Sequence, residues 1–354
     1  MNSPDARSRQ TLRIIDANLN RVGEGLRLLE DIARLVLNDV ALSQQLKTMR
    51  HELITGDPVL QKRLLDSRDS EGDVGISLAG EERERELPLV LVANSRRVQE
   101  SLRVLEELAK VPGIIPGLDS EKFKQARFSI YTLEQRLLSR LLRKDKLERL
   151  FGLYVIIDIQ VLKGRNYLEV ARQAIQGGAG VIQLRDKVSR KADLLPVARE
   201  LKTVCTKNNV LFIMNDYLDL ALETDADGLH VGQDDLPVSV ARRLLPLDKI
   251  LGCSTTTVEQ ALEAQADGAD YVAIGSIFPT STKEVVTVVG VERLRQVRQV
   301  VSIPLVAIGG ITRDNVREVI AAGADSVAVI TAVLWADSPQ AAAQQITRVF
   351  KEKK

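Results

Sequence analysis

The chain has little of what staples, ligates or stacks. Among 354 residues there are two cysteines, Cys205 and Cys253. No disulfide framework can shape such a chain, and a reducing cytoplasm is the expected setting. Its two histidines, His51 and His230, argue against a histidine-rich metal site. A metal would instead be held by carboxylates, which favours Mg2+. No apolar run approaches the roughly 20 residues of a membrane span. The segment Met1–Gln10 is polar and has no apolar signal core, so secretion is not expected. Neither sign of charge dominates: the net charge is +1, and no global field draws the chain to nucleic acid or to a membrane surface. What is present, 45% hydrophobic and 27% charged, suits a globular protein. The length asks for two domains.

The hydrophobic pattern changes near residue 150. Before it, the period is helical. Leu26, Leu29, Ala33 and Leu37 form one apolar stripe among Arg27, Glu30, Asp31 and Arg34. Leu102, Leu105, Leu108 and Ala109 repeat it, and 123–142 predicts another long helix. The charged run Arg143–Arg149 reads as a connection. After it, short runs rich in Val, Ile and Leu alternate with helical stretches. Strands are expected at 152–158, 181–185, 211–215, 228–231, 250–254, 271–275, 305–308 and 326–329, as if buried on both faces. Helices are expected at 167–176, 193–207, 257–266, 291–300 and 314–322. Gly178, Gly268 and Gly323 each close a helix before a strand. Repeated β-then-α units predict an α/β TIM (β/α)8 barrel over 150–354, preceded by an all-α domain over 1–145. An open doubly wound sheet would want a glycine-rich turn after its first strand, but Ile159, Gln160 and Val161 follow Asp158.

Polar residues gather where the expected strands end, which is where such barrels place chemistry. Gly309-Gly310 with Ile330-Thr331 predicts a phosphate cradle of backbone N–H groups after strands seven and eight. A second device is charged: Arg185, Lys187 and Lys283 supply cations, and Asp216 and Asp235 supply carboxylates. Cations beside carboxylates in a phosphate site suggest a Mg2+-diphosphate. Singly, each cluster has a plainer reading as a tight turn, a helix cap or a hydroxyl-rich loop. His230, inside a strand, suits core packing or a ligand contact. Cys253 reads as a small buried residue, and Trp335 as packing.

From about Leu150 to Val349 the chain resembles thiamine-phosphate synthase. The resemblance is carried by Gln183-Leu184-Arg185-Asp186-Lys187, by Gly228 through Asp235, by Gly275 through Lys283, and by Ala307-Ile308-Gly309-Gly310-Ile311. It implies condensation of 4-amino-2-methyl-5-(diphosphooxymethyl)pyrimidine with thiazole phosphate, by way of a pyrimidine methyl cation. It also implies roles. Gln183, Arg185, Lys187, Asn215 and Lys283 contact the pyrimidine diphosphate. Asp216 and Asp235 ligate Mg2+, and Ser254 lies near the reacting ring. Thr280, Thr282, Gly310, Ile330 and Thr331 bind the thiazole phosphate. Arg185, Lys187, Ser254 and Lys283 then serve the chemistry directly. Thr331 stands where serine is frequent, which keeps the hydroxyl. Ser276 stands where proline is frequent, which would loosen its loop.

The first half contains a repeat: Ala17–Glu30 recurs as Ala93–Glu106, 76 residues on. Helix periodicity explains the leucines but not the matches Asn18/Asn94, Arg21/Arg97, Glu24/Glu100 and Arg27/Arg103. One copy suits a surface ladder of salt bridges. Two copies suggest paired helices packing their polar faces around a ligand pocket or a dimer seam, so a homo-oligomer is one reading. Asp66–Gly75 reads as an acidic loop. About Leu12 to Leu142 resembles the helical domain fused ahead of some thiamine-phosphate synthases, which is associated with phosphorylating hydroxymethylpyrimidine phosphate. That resemblance implies ATP as a further small-molecule partner, although no Walker-type glycine loop is present. Its rival is a purely structural or dimerising domain. For the barrel, a thiazole tautomerase or a ligand-binding regulator would keep the cradle without needing the charged clamp. A barrel acting on an indole or sugar phosphate would need an acid–base pair that the sequence does not offer.

Overall fold

The computed structural model describes residues 4–54, 58–68, 85–111, 118–280 and 287–352. They form two compact units, Met1–Leu142 and Arg143–Lys354.

The first unit is helical: α1 (Pro4–Asp31), a π-turn (Ile32–Val36), α2 (Val40–Ile54), α3 (Pro58–Ser67), α4 (Leu87–Leu108) and the start of α5 (Ser120–Arg149). The run Arg143–Arg149 is not an irregular connection but the last two turns of α5. Its residues are good helix formers, and Lys144 pairs with Glu148 one turn on. Helices α1 and α4, the two repeats, pack together, but through their apolar stripes. Val22, Leu26, Leu29, Val98, Leu102 and Leu105 are fully buried. A Cβ at Gly25 would lie 2.5 Å from Val98 Cγ2, so the small residue permits the close approach. Within the chain the polar faces of the two helices do not meet: Arg21, Glu24, Arg97 and Glu100 are exposed, because apolar burial drives the pairing and charges stay hydrated.

The matched polar residues do local work instead. Asn18 and Asn94 each donate to the carbonyl one turn back, Ile14 at 2.8 Å and Val90 at 2.9 Å. Glu30 and Glu106 are buried, and each takes an arginine from the following long helix, Arg50 at 2.9 Å and Arg127 at 3.0 Å. Of the expected acidic loop, Asp66 and Ser67 end α3 and Arg68 pairs with Asp16 at 2.7 Å. Residues 69–75 lie outside the described residues.

The second unit is a closed barrel of eight parallel strands in sequence order. They are β1 (Gly152–Asp158), β2 (Ala179–Arg185), β3 (Leu211–Asn215), β4 (Gly228–Val231), β5 (Ile250–Thr255), β6 (Tyr271–Ile274), β7 (Leu305–Ile308) and β8 (Ser326–Val329). Between them lie α6 (Tyr167–Gln176), α7 (Lys191–Lys207), α8 (Leu218–Glu223), α9 (Val238–Leu244), α10 (Val258–Ala266), α11 (Gly290–Val300) and α12 (Val316–Ala321), with α13 (Thr331–Leu334) and α14 (Pro339–Lys351) after β8. Side chains alternate across each strand. The outward set, such as Val155, Leu184, Phe212, Leu229 and Leu251, packs against the helices in one core. The inward set, Tyr154, Ile156, Val181, Leu211, Ile213, Ile250, Tyr271 and Val306, fills the lumen.

Candidate active site

The inward parity that fills the lumen with apolar residues at the bottom delivers polar residues at the top. Two residues above Val181 comes Gln183, then Arg185; two above Ile213 comes Asn215. His230 lies beside Asn215 in register, and Ser254 lies two residues beyond Gly252, the partner of His230. Gln183, Arg185, Asn215, His230 and Ser254 line a cavity of about 430 Å³ at the strand ends. So do Lys187, Asp216, Asp235, Thr280, Gly310, Ile330 and Thr331. The remaining sequence-expected residues, Thr282 and Lys283, lie outside the described residues, as does Ser281.

One arc of the mouth, above β2 to β4, is charged. Arg185 is ion-paired through Nη1 to Asp158, a fully buried carboxylate at the end of β1 that lies opposite it in register. Asp158 also accepts from the Gln160 amide at 3.2 Å, so the carboxylate is held from two sides. Lys187 Nζ lies 3.2 Å from Asp216 Oδ2. Asp216 adopts a left-handed backbone with φ +61°, its amide donating to the His230 carbonyl at 2.8 Å. That bend sets its carboxyl beside Asp235. Burial and the hydrogen bond with Asp235 push the Asp216 carboxyl up to about 6, against the pull of Lys187. Burial alone would also raise Asp235. The hydrogen bond from Asp216 and the Gly232 amide, 2.8 Å from Oδ2, outweigh it and hold Asp235 below the usual carboxylate range.

Two neighbouring carboxyls, one of them paired with Lys187, are oxygen donors suited to a hard divalent cation. No group of three or more His, Cys, Asp or Glu gathers among the described residues. The two aspartates are therefore an open-sided pair, and water or a bound ligand would complete the coordination of any cation held there.

The opposite arc, above β7 and β8, is uncharged. Gly310 has φ +64°, and a Cβ there would lie 2.5 Å from the Pro279 carbonyl oxygen. Only glycine fits both the conformation and the approach. The amides of Gly310 and Thr331 find no acceptor among the described residues, and both residues face the cavity. Ser276 is tied into its loop at two points. Its hydroxyl donates to the Phe278 carbonyl at 2.7 Å, and its own carbonyl accepts from Val289 at 2.8 Å.

The floor is a continuous hydrogen-bonded chain through five strands. Gln183 Nε2 donates to Tyr154 Oη at 2.8 Å, and Tyr154 Oη lies 3.1 Å from Tyr271 Oη. Tyr271 Oη lies 3.0 Å from His230 Nδ1, and His230 Nε2 lies 2.9 Å from Ser254 Oγ. His230 is thus both packed and in the cavity wall, stacked on Tyr271 at 5.6 Å. Burial pushes both phenols well above their ordinary value, so both keep their protons. Cys253 is buried, as expected. Trp335 is partly exposed, and its Nε1 donates to the Val161 carbonyl at 2.8 Å while Lys163 sits over its ring.

Sequence reasoning passed over four contributors. Asp158 carries the same signal as the others, a charge ending an apolar strand. Tyr154 and Tyr271 look like core aromatics, and only their inward parity marks them. Gln233, whose Nε2 donates to the Ser254 carbonyl at 2.7 Å, has no periodic signature.

Residues 153–333 match the family described as thiamine monophosphate synthase, and residues 13–136 match the ThiD2 family. The chain is similar to a thiamine-phosphate synthase of Thermosynechococcus vestitus, at 39% identity over 98% of this chain and 97% of the relative. A thiamine-phosphate synthase of Shouchella clausii is 49% identical over 57% of this chain and 97% of its own length, which is the extent of the barrel alone. Among solved structures, the thiamine phosphate pyrophosphorylase from Pyrococcus furiosus is 38% identical with a TM-score of 0.54, covering 58% of this chain and 98% of that one.

Proposed function

This chain belongs to the thiamine monophosphate synthase family, and from that premise we propose how its residues perform the family's condensation. The chain is a transferase of thiamine biosynthesis acting on small molecules, and its family uses a metal. In our reading the charged arc holds the pyrimidine diphosphate and the uncharged arc holds the thiazole phosphate. What supports it most is the convergence of Arg185, Lys187, Asp216 and Asp235 on one side of a single cavity.

Asp216 and Asp235 would hold Mg2+. When bound, the ion supplies positive charge to the departing diphosphate. Arg185, fixed by Asp158, and Lys187 add the charge that the metal does not. With Lys283 they draw off the leaving group as the C–O bond ionises to a pyrimidine methyl cation. Asn215, Gln183 and Ser254 keep the pyrimidine seated in the floor. Amides of Gly310 and Thr331, with Ile330, Thr280 and Thr282, hold the thiazole phosphate so that its nitrogen lies in line with the cation. Proximity and charge carry the reaction, so no general base is needed.

The helical unit, matched to ThiD2, is proposed to phosphorylate hydroxymethylpyrimidine phosphate with ATP and so make the barrel's diphosphate substrate. The full chain tests both halves. Pyrimidine diphosphate, thiazole phosphate and Mg2+ should yield thiamine phosphate, and Asp216→Ala should abolish the yield. Replacing the diphosphate with the monophosphate should make the yield depend on ATP. No product with ATP would leave the helical unit a structural or dimerising one.

A further inference from the structure

The floor chain has a direction, set by the Gln183 amide. Gln183 Nε2 is a donor, so Tyr154 Oη accepts from it. The phenolic proton of Tyr154 then has Tyr271 Oη as its acceptor at 3.1 Å. The Tyr271 proton in turn goes to His230 Nδ1 at 3.0 Å. An imidazole that accepts at Nδ1 carries its proton on Nε2, which faces Ser254 Oγ at 2.9 Å. Each link forces the next because an enclosed hydroxyl proton without an acceptor is costly.

The two ends therefore differ. Gln183 is left with Oε1, which takes no hydrogen bond from a described residue and is not among the enclosed unpartnered atoms, so it opens on the cavity. Ser254 Oγ accepts from His230 and is left with its own proton for the cavity. Packing holds the middle rigid. Gly252 is opposite Tyr271 in register, and a Cβ there would lie 2.0 Å from Tyr271 Cζ.

We infer that Tyr154, Tyr271 and His230 are positioning residues that fix Gln183 as an acceptor and Ser254 as a donor, so that the floor selects an aminopyrimidine over its oxo counterpart. The inference rests on the floor being the pyrimidine's seat. An exocyclic amine donates to Gln183 Oε1, and an unprotonated ring nitrogen accepts from Ser254. A carbonyl in place of the amine would set two acceptors face to face, with no polar group free to turn without turning the whole relay.

The test is kinetic and uses the full chain. Wild-type protein, given the 4-amino pyrimidine diphosphate and its 4-oxo analogue with thiazole phosphate and Mg2+, should prefer the amine by at least about 1,000-fold in kcat/KM, as polar sites that match hydrogen bonds do. Tyr154→Phe removes the acceptor that orients the Gln183 amide, which can then turn. The preference should narrow at least tenfold, with the KM for thiazole phosphate unchanged. A merely structural role would lower both substrates together. An unchanged preference in a variant that still makes thiamine phosphate overturns the relay alone. Failure of wild type to turn over the amino substrate overturns the site reading beneath it. Independently of any variant, 15N NMR of His230 should show Nδ1 without a proton; the opposite tautomer overturns the inference directly.

Discussion

Lys187→Ala separates stability from chemistry at the charged arc. The Lys187 side chain is 48% exposed and its partner Asp216 is 12% exposed, with the charges 3.2 Å apart. A half-exposed pair of this kind contributes about 0–1 kcal/mol to folding. In a unit of this size, such a loss lowers Tm by no more than about 4 °C. The same ammonium faces a leaving group that gains charge in the transition state, where removing one donor costs on the order of 3–4 kcal/mol, or 100- to 1,000-fold in kcat. The pH dependence should move as well. Protonated Asp216 cannot ligate a cation, so Mg2+ affinity should fall as pH drops through about 6. Lys187 pulls the Asp216 carboxyl down. Its loss should therefore shift that acid limb to higher pH. The assay is thiamine phosphate formation at saturating substrates and Mg2+, beside a thermal melt and a Mg2+ titration across pH. Wild-type turnover in the variant, or a loss of turnover matched by a collapse of Tm, would refute the reasoning.

Gly310→Ala forces a Cβ into left-handed space 2.5 Å from the Pro279 carbonyl. The KM for thiazole phosphate should rise at least about tenfold, the strain alone costing roughly 1–2 kcal/mol, while the KM for the pyrimidine diphosphate holds in steady-state titrations. In metal-free protein the raised Asp216 favours folding below its unfolded value near ~4 and loses that contribution as pH rises through about 6. Melts should therefore show Tm falling over that window relative to Asp216→Asn, and Mg2+ should restore it. Glu30→Ala leaves Arg50, 19% exposed, without its partner. Denaturant unfolding of the full chain should show a loss of about 3 kcal/mol in the helical transition, with barrel turnover on preformed diphosphate unchanged.

The strands and helices were legible because their causes are local. Runs such as Leu211–Asn215 and Gly228–Val231 are buried on both faces, and Gly178, Gly268 and Gly323 take the positive φ that ends a helix. Most of the site was legible too. A charge or an amide at the end of an apolar strand has no packing reason to be there, and Arg185, Asn215 and Asp216 announce themselves that way. The helical repeat was visible, but its packing was read wrongly. Matched charges stand out in a sequence, whereas the apolar stripes that join α1 and α4 are shared by every amphipathic helix.

By itself, then, the order of residues determined the barrel, its strand ends and the kinds of charge that line its mouth, since periodicity and composition act over a few neighbouring positions. Only tertiary structure decided who pairs with whom. Arg185 is aimed by Asp158, 27 positions before it. The phenols of Tyr154 and Tyr271 meet across 117 positions to pass one hydrogen-bond direction from Gln183 to Ser254. Closing the sheet into a barrel converts strand parity into convergence, and such contacts between distant strands leave no periodic trace along the chain.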